Sequence, residues 1–226
     1  PNGILGARMM RPWIYSRHPR RSAACFALFW LVGAIILFAP GCGFWQSASI
    51  TEKHLKNGAT LIYRKEPHQP LVGITCFFRL GPREETPMNA GITQLALEVV
   101  PKGTRSHSAR EFAEALEALG ADISSDVSSD YAMLQLSAPK KTWEKAHALF
   151  YEMLVEPLFP TAEVATEKGR LLASIRASHD DPFDYAYEKL QMLLWGSQSY
   201  GLPKNGTIQS VTQLQRNDVL NWFEVM

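Results

Sequence analysis

Residues 91–104, Gly-Ile-Thr-Gln-Leu-Ala-Leu-Glu-Val-Val-Pro-Lys-Gly-Thr, hold the side chains that bear most directly on chemistry. On a helix, Gln94 and Glu98 stand four apart and share a face. Gln94 offers a neutral amide oxygen, a poor partner for zinc, and Leu97 has no site for a proton. Glu98 could hold a cation, but one carboxylate falls short of the three protein ligands of a catalytic metal site. Other candidates are weaker. Asp122, Asp126 and Asp130 alternate with Ser124 and Ser128 along an expected strand and invite calcium. They lack the glycine and terminal glutamate of a calcium loop, so a solvated strand face is the reading. His147 falls on the apolar side of a helix and reads as a packed ring. His179 beside Asp180 reads as a helix-end histidine near the negative end of the dipole. Ser174 has no base partner evident in sequence, which leaves a serine hydrolase unsupported. Cys76, between Ile74 and Phe77, reads as a buried strand thiol rather than a nucleophile.

The elements that would position these residues follow from turn chemistry and periodicity. Asn57-Gly58 marks a hairpin, its second strand over 60–65, and 71–80 is a further strand rich in β-branched and aromatic residues. Ser108 and Glu111 form a capping box ahead of Phe112, Ala115, Leu116 and Leu119, and Gly120 closes that helix. Residues 121–130 and 131–139 read as two antiparallel strands. Trp143, Ala146, His147, Phe150, Met153 and Leu154 make a helical stripe stopped by Pro157 and Pro160. A helix follows over 161–178. Asp181-Pro182 caps the next, whose face is Phe183, Ala186, Tyr187, Leu190 and Leu194, ended at Gly196. A last helix, capped by Thr212, runs to the end.

Gly91, Ile92, Lys102, Gly103 and Thr104 resemble the metal-binding segment of the insulinase/pitrilysin family of zinc peptidases. Its helix reads Gly-hydrophobic-Ala-His-x-x-Glu-His and runs on into Lys-Gly-Thr. The Gly-x-Arg-x-Glu loop at 81–85 and the Tyr-Gly-x-Pro-x-x-Gly-Thr segment at 200–207 are similar to the family as well. The resemblance covers about residue 51 to the end and implies an α+β half-domain, a mainly antiparallel sheet with helices packed on it. It also implies that Gln94 stands where the first histidine ligand belongs, Leu97 where the glutamate base belongs and Glu98 where the second histidine belongs. Ser174 takes the place of the third ligand, a glutamate on a later helix. No catalytic residue and no resident metal are then expected. Family members pair two such halves across a peptide-holding chamber, so this chain reads as the first half, incomplete at its C-terminal side.

Composition fits that reading. Hydrophobic residues make up 46% and charged residues 20%, which suits a packed core and argues against disorder. The net charge of +1 conceals an asymmetry. Arg8, Arg11, Arg17, Arg20 and Arg21 precede residue 52, where no acid falls, leaving 18 basic against 22 acidic groups beyond it. A mildly acidic body gives no footprint for nucleic acid. The basic start, the apolar run over 23–38 and Ala39-Pro40-Gly41-Cys42 have the order of a secretory leader. They resemble a bacterial lipoprotein signal over residues 1–41, with Cys42 lipidated and 42–50 a linker before the half-domain at 51–226. An uncleaved membrane anchor is the alternative. The expected protein is a non-catalytic family member on a bacterial envelope, facing the periplasm, that binds peptides or pairs with a catalytic subunit or second half-domain. Two other readings stand beside it: a zinc endopeptidase with rebuilt ligands, Glu98 with His179 or His107, and a truncated fragment without a role of its own.

Overall fold

The structure is a computed structural model that describes residues 50–226. The leader, Cys42 and the linker lie outside the described residues. The described chain belongs to two units, divided after Glu66. In the first, β1 (Ile50–His54) pairs antiparallel with β2 (Thr60–Arg64). The hairpin closes where Gly58 takes φ +85° and the Leu55 N–H donates to the Ala59 carbonyl at 2.8 Å. The Asn-Gly signal is thus realised as a turn.

The second unit carries a three-stranded antiparallel sheet in the order β3 (Leu71–Phe78), β5 (Ala132–Pro139), β4 (Asp122–Val127). In the central strand, Ala132, Leu134, Leu136 and Ala138 are buried and the residues between them half-buried, the period of two that one covered face requires. Register places Cys76 opposite Leu134 and Ile74 opposite Leu136. Both partly buried β3 residues lean on the core, and burial pushes the Cys76 thiol up. The expected strands at 71–80 and 121–130 end sooner, at Phe78 and Val127. Ser128 and Asp130 therefore leave the strand face: the Asp130 carboxylate binds Arg83 and Tyr200, and Asp126 pairs with Lys204 at 3.1 Å.

Among the described residues, seven α-helices accompany the sheet: α1 (Ile92–Val99), α2 (Ala109–Leu119), α3 (Trp143–Val155), α4 (Thr161–Asp180), α5 (Pro182–Trp195), α6 (Ile208–Gln213) and α7 (Arg216–Val225). With this sheet they give the α+β class. The core gathers Leu95 and Val99 of α1, Phe112 of α2, Phe150 and Met153 of α3, Ile175 of α4 and Val219 of α7 around the covered face of β5. The Ser108–Glu111 capping box and the Gly120 closure, at φ +63°, both form, as does the Asp181 cap on α5.

Three expectations change. The terminal helix is two helices, capped not by Thr212 but by Thr207 with Ser210 and by Gln215 with Asp218. Between them Lys168 of α4 donates to the carbonyls of Thr212 and Leu214 and holds the chain in a turn. His147 is exposed, one position round the helix from buried Ala146, and its ring lies 5.7 Å from Trp143. The apolar stripe of α5 has no buried member: Phe183, Leu194 and Trp195 are all mostly exposed.

Candidate functional site

The positions of interest depend on α1, and α1 depends on a group that sequence reading passed over. Glu85, only 4% exposed, accepts from the Gly91 N–H at 2.7 Å and the Thr93 N–H at 3.0 Å. A carboxylate at the first turn satisfies donors that have no partner inside the helix and meets the positive end of the dipole. Burial pushes the Glu85 carboxyl up, against the pull of those N–H donors. The only earlier signal was its place at the end of the Gly-x-Arg-x-Glu loop.

The other side of the helix start is set by backbone. Gly91 (φ +90°) and Gly206 (φ +75°) lie against each other, so that a Cβ on Gly206 would sit 2.1 Å from the Ala90 carbonyl oxygen. Ser210 donates to that same carbonyl at 2.8 Å, and the Trp222 indole N–H donates to the Thr93 hydroxyl at 3.0 Å. The Tyr-Gly-x-Pro-x-x-Gly-Thr segment therefore buttresses the helix that presents Gln94 and Glu98.

One turn in, α1 faces α4 across a cavity of about 240 Å³. Gln94 and Glu98 line it from α1, Glu167, Arg170 and Ser174 from α4, and Asn205 from the buttress. Three of the four positions singled out in the sequence, Gln94, Glu98 and Ser174, are thus brought together. Leu97 is not with them. It is 1% exposed and lies within the hydrophobic core.

The polar groups in the cavity are unevenly matched. The Gln94 amide N–H donates to Glu98 Oε1 at 2.9 Å, an orientation the carboxylate imposes, since two oxygens would repel. That leaves Gln94 Oε1 buried with no partner among the described residues. Glu167, 4% exposed, is paired with Lys102 at 3.2 Å and with Arg170 at 2.9 Å. The Asn205 amide reaches the Ser174 hydroxyl at 3.4 Å. Glu167, Arg170 and Asn205 escaped sequence reading because nothing local links them to residue 94.

This donor set does not fit zinc. It offers an amide oxygen, a hydroxyl and one carboxylate without a cationic partner, whereas zinc takes imidazole, thiolate or carboxylate ligands, three in a catalytic site. No group of three histidine, cysteine or acidic residues with metal-holding geometry occurs among the described residues. The rebuilt-ligand reading loses its histidines as well. His107 lies 3.1 Å from Glu152 and His179 lies 3.1 Å from Glu188, and neither lines the cavity. A larger groove of about 500 Å³ between Met88 and α7 has Asp218 as its one acid, and that carboxylate caps the Gln215 N–H. It assembles no reactive set.

Known proteins resemble this chain across the same region. A zinc protease of unassigned character from Rickettsia bellii is 26% identical over 168 residues, 74% of this chain and 41% of that protein. A non-peptidase homolog from Helicobacter pylori is 24% identical over 180 residues, 79% of this chain and 41% of its own length. The crystal structure of a peptidase M16 inactive domain from Pseudomonas fluorescens superposes with a TM-score of 0.73 at 21% identity, covering 77% of this chain and 43% of that one. The chain spans about two fifths of the curated relatives it matches. The profile described as Insulinase (Peptidase family M16) matches residues 60–207, and with the α+β fold around the α1–α4 cavity this places the chain in the insulinase family, as a half-domain of that kind.

Proposed function

We propose that this chain is a non-catalytic insulinase-family half-domain that binds peptides or completes a chamber with a second half-domain or catalytic subunit. One observation carries the reading. The positions that in the family would hold zinc, Gln94, Glu98 and Ser174, converge on a cavity whose groups do not suit that metal, and Leu97, at the position of the family's base, is part of the core instead. The partner requirement draws support from α5, where Phe183, Leu193, Leu194 and Trp195 are each more than 60% exposed. Neighbouring exposed apolar side chains of this size suit an interaction surface. The envelope location rests on the leader-like residues 1–41, with Cys42 as the lipidated terminus, 42–50 as a linker and 51–226 as the half-domain.

The test uses purified chain with zinc and an unfolded peptide substrate. The expected result is no stoichiometric zinc after dialysis and no cleavage, with peptide binding detectable by fluorescence anisotropy. Zinc-dependent, chelator-sensitive hydrolysis by this chain alone would overturn the proposal.

A further inference from the structure

We propose that the cavity between α1 and α4 receives a primary ammonium group, supplied by a lysine side chain of a bound peptide; the peptide-binding reading above is its premise. The cavity has an acceptor surplus at one end. Gln94 Oε1 is buried and without a partner, because its amide nitrogen is committed to Glu98 at 2.9 Å. A buried acceptor without a partner is unfavourable, so a ligand donor that meets this oxygen on rotation of the Gln94 side chain, which lines the cavity, recovers a penalty already present. Glu98 carries a carboxylate with no cationic partner among the described residues, in contrast to Glu167, which has both Lys102 and Arg170. Ser174 adds a hydroxyl oxygen on the facing helix.

Three acceptors on two helices match a compact head with three donors. An anion would meet the Glu98 carboxylate and the unpartnered Gln94 oxygen, both repulsive. A guanidinium is planar with its donors in a rigid fork, whereas these acceptors come from two facing helices, and Arg170 already brings one guanidinium to the cavity. Leu171, a further lining residue and 7% exposed, gives the methylene stem of a lysine an apolar wall.

The experiment titrates the full chain with N-acetylated extended peptides that differ at one interior position, lysine, norleucine or arginine, and reads fluorescence anisotropy. The lysine peptide should bind about tenfold tighter than the norleucine peptide, the scale of one charge-assisted hydrogen bond. Glu98→Gln should erase that preference, bringing the lysine and norleucine affinities together, while Gln94→Met, an independent variant, should reduce it severalfold. Equal affinity for lysine and norleucine peptides would overturn the ammonium assignment and leave peptide binding standing. A lysine-free peptide with a free α-amine that bound as tightly would overturn the lysine assignment in favour of a chain terminus. n-Butylammonium is the second probe. It should shift the Gln94 side-chain amide NMR signal, tetramethylammonium should not, and Glu98→Gln should abolish the shift. Such a shift without binding of any peptide would support the cavity and refute its peptide premise. The same shift from micromolar zinc or calcium chloride would overturn the proposal in favour of a metal.

Discussion

Replacing Glu85 by alanine tests whether the helix bearing the cavity is held from outside itself. The substitution leaves the N–H groups of Gly91 and Thr93 without their acceptor, and both residues are buried, so water does not readily substitute. Losing an N-terminal cap costs about 1–2 kcal/mol, and each buried donor left unmet about 1–3 kcal/mol. Against this stands relief of the desolvation that raises the carboxyl. The balance is a loss of roughly 2–4 kcal/mol, a large part of the 5–15 kcal/mol typical of a domain. Urea unfolding followed by circular dichroism reads it directly. Glu85→Gln sharpens the test through pH. Because the folded carboxyl is raised above its ordinary value, the folded state binds protons more tightly than the unfolded state in the window between the two. Stability due to Glu85 is therefore greatest below that window and declines as pH rises through it. The advantage of wild type over Glu85→Gln should shrink with rising pH. An alanine variant within 0.5 kcal/mol of wild type on the scale of a surface change, or a wild-type-minus-glutamine difference that grows with pH, would refute the reasoning.

Two other substitutions probe the same region. Gly206→Ala places a methyl 2.1 Å from the Ala90 carbonyl oxygen at φ +75°, so a loss of roughly 3 kcal/mol or more is expected by urea unfolding. Leu97→Glu, at the position the resemblance assigns to the family's base, inserts a carboxyl where the side chain is 1% exposed. It should lower the unfolding midpoint by the equivalent of about 3–5 kcal/mol without conferring zinc-dependent cleavage, and a neutral effect would mean that position 97 faces the cavity.

Much of the fold was legible because it is written in short-range chemistry. The Asn57-Gly58 turn, the Ser108–Glu111 box with Gly120, and Asp181 ahead of Pro182 each specify backbone geometry within a few residues. What escaped depends on residues far apart. The Glu85 cap bridges a loop to a helix start, and the break between α6 and α7 is fixed by Lys168, more than forty residues away. Periodicity also reports an apolar face without saying what covers it. The stripe on α3 is buried at Ala146, Phe150 and Met153, whereas the equally regular stripe on α5 is exposed. The candidate site divides in the same way. The family resemblance linked Ser174 to Gln94 and Glu98, while the partners that give the cavity its charge, Glu167, Lys102 and Arg170, carried no local signal.

The cavity also bears on whether one substitution could create a reactive site here. A histidine at 94 would gain a metal ligand but break the amide contact that orients Glu98, and Glu98 would still have to become a second imidazole. The base would need room where Leu97 is enclosed by the core. The third ligand would replace Ser174, close to the Glu167–Arg170 pair, where another carboxylate adds like charge to a group held by two cations. Each change weakens an arrangement that the present residues complete among themselves, and no single one yields a metal that can activate water. On the proposed reading, selection on this surface would act on shape, charge and the Gln94 oxygen that has no partner among the described residues.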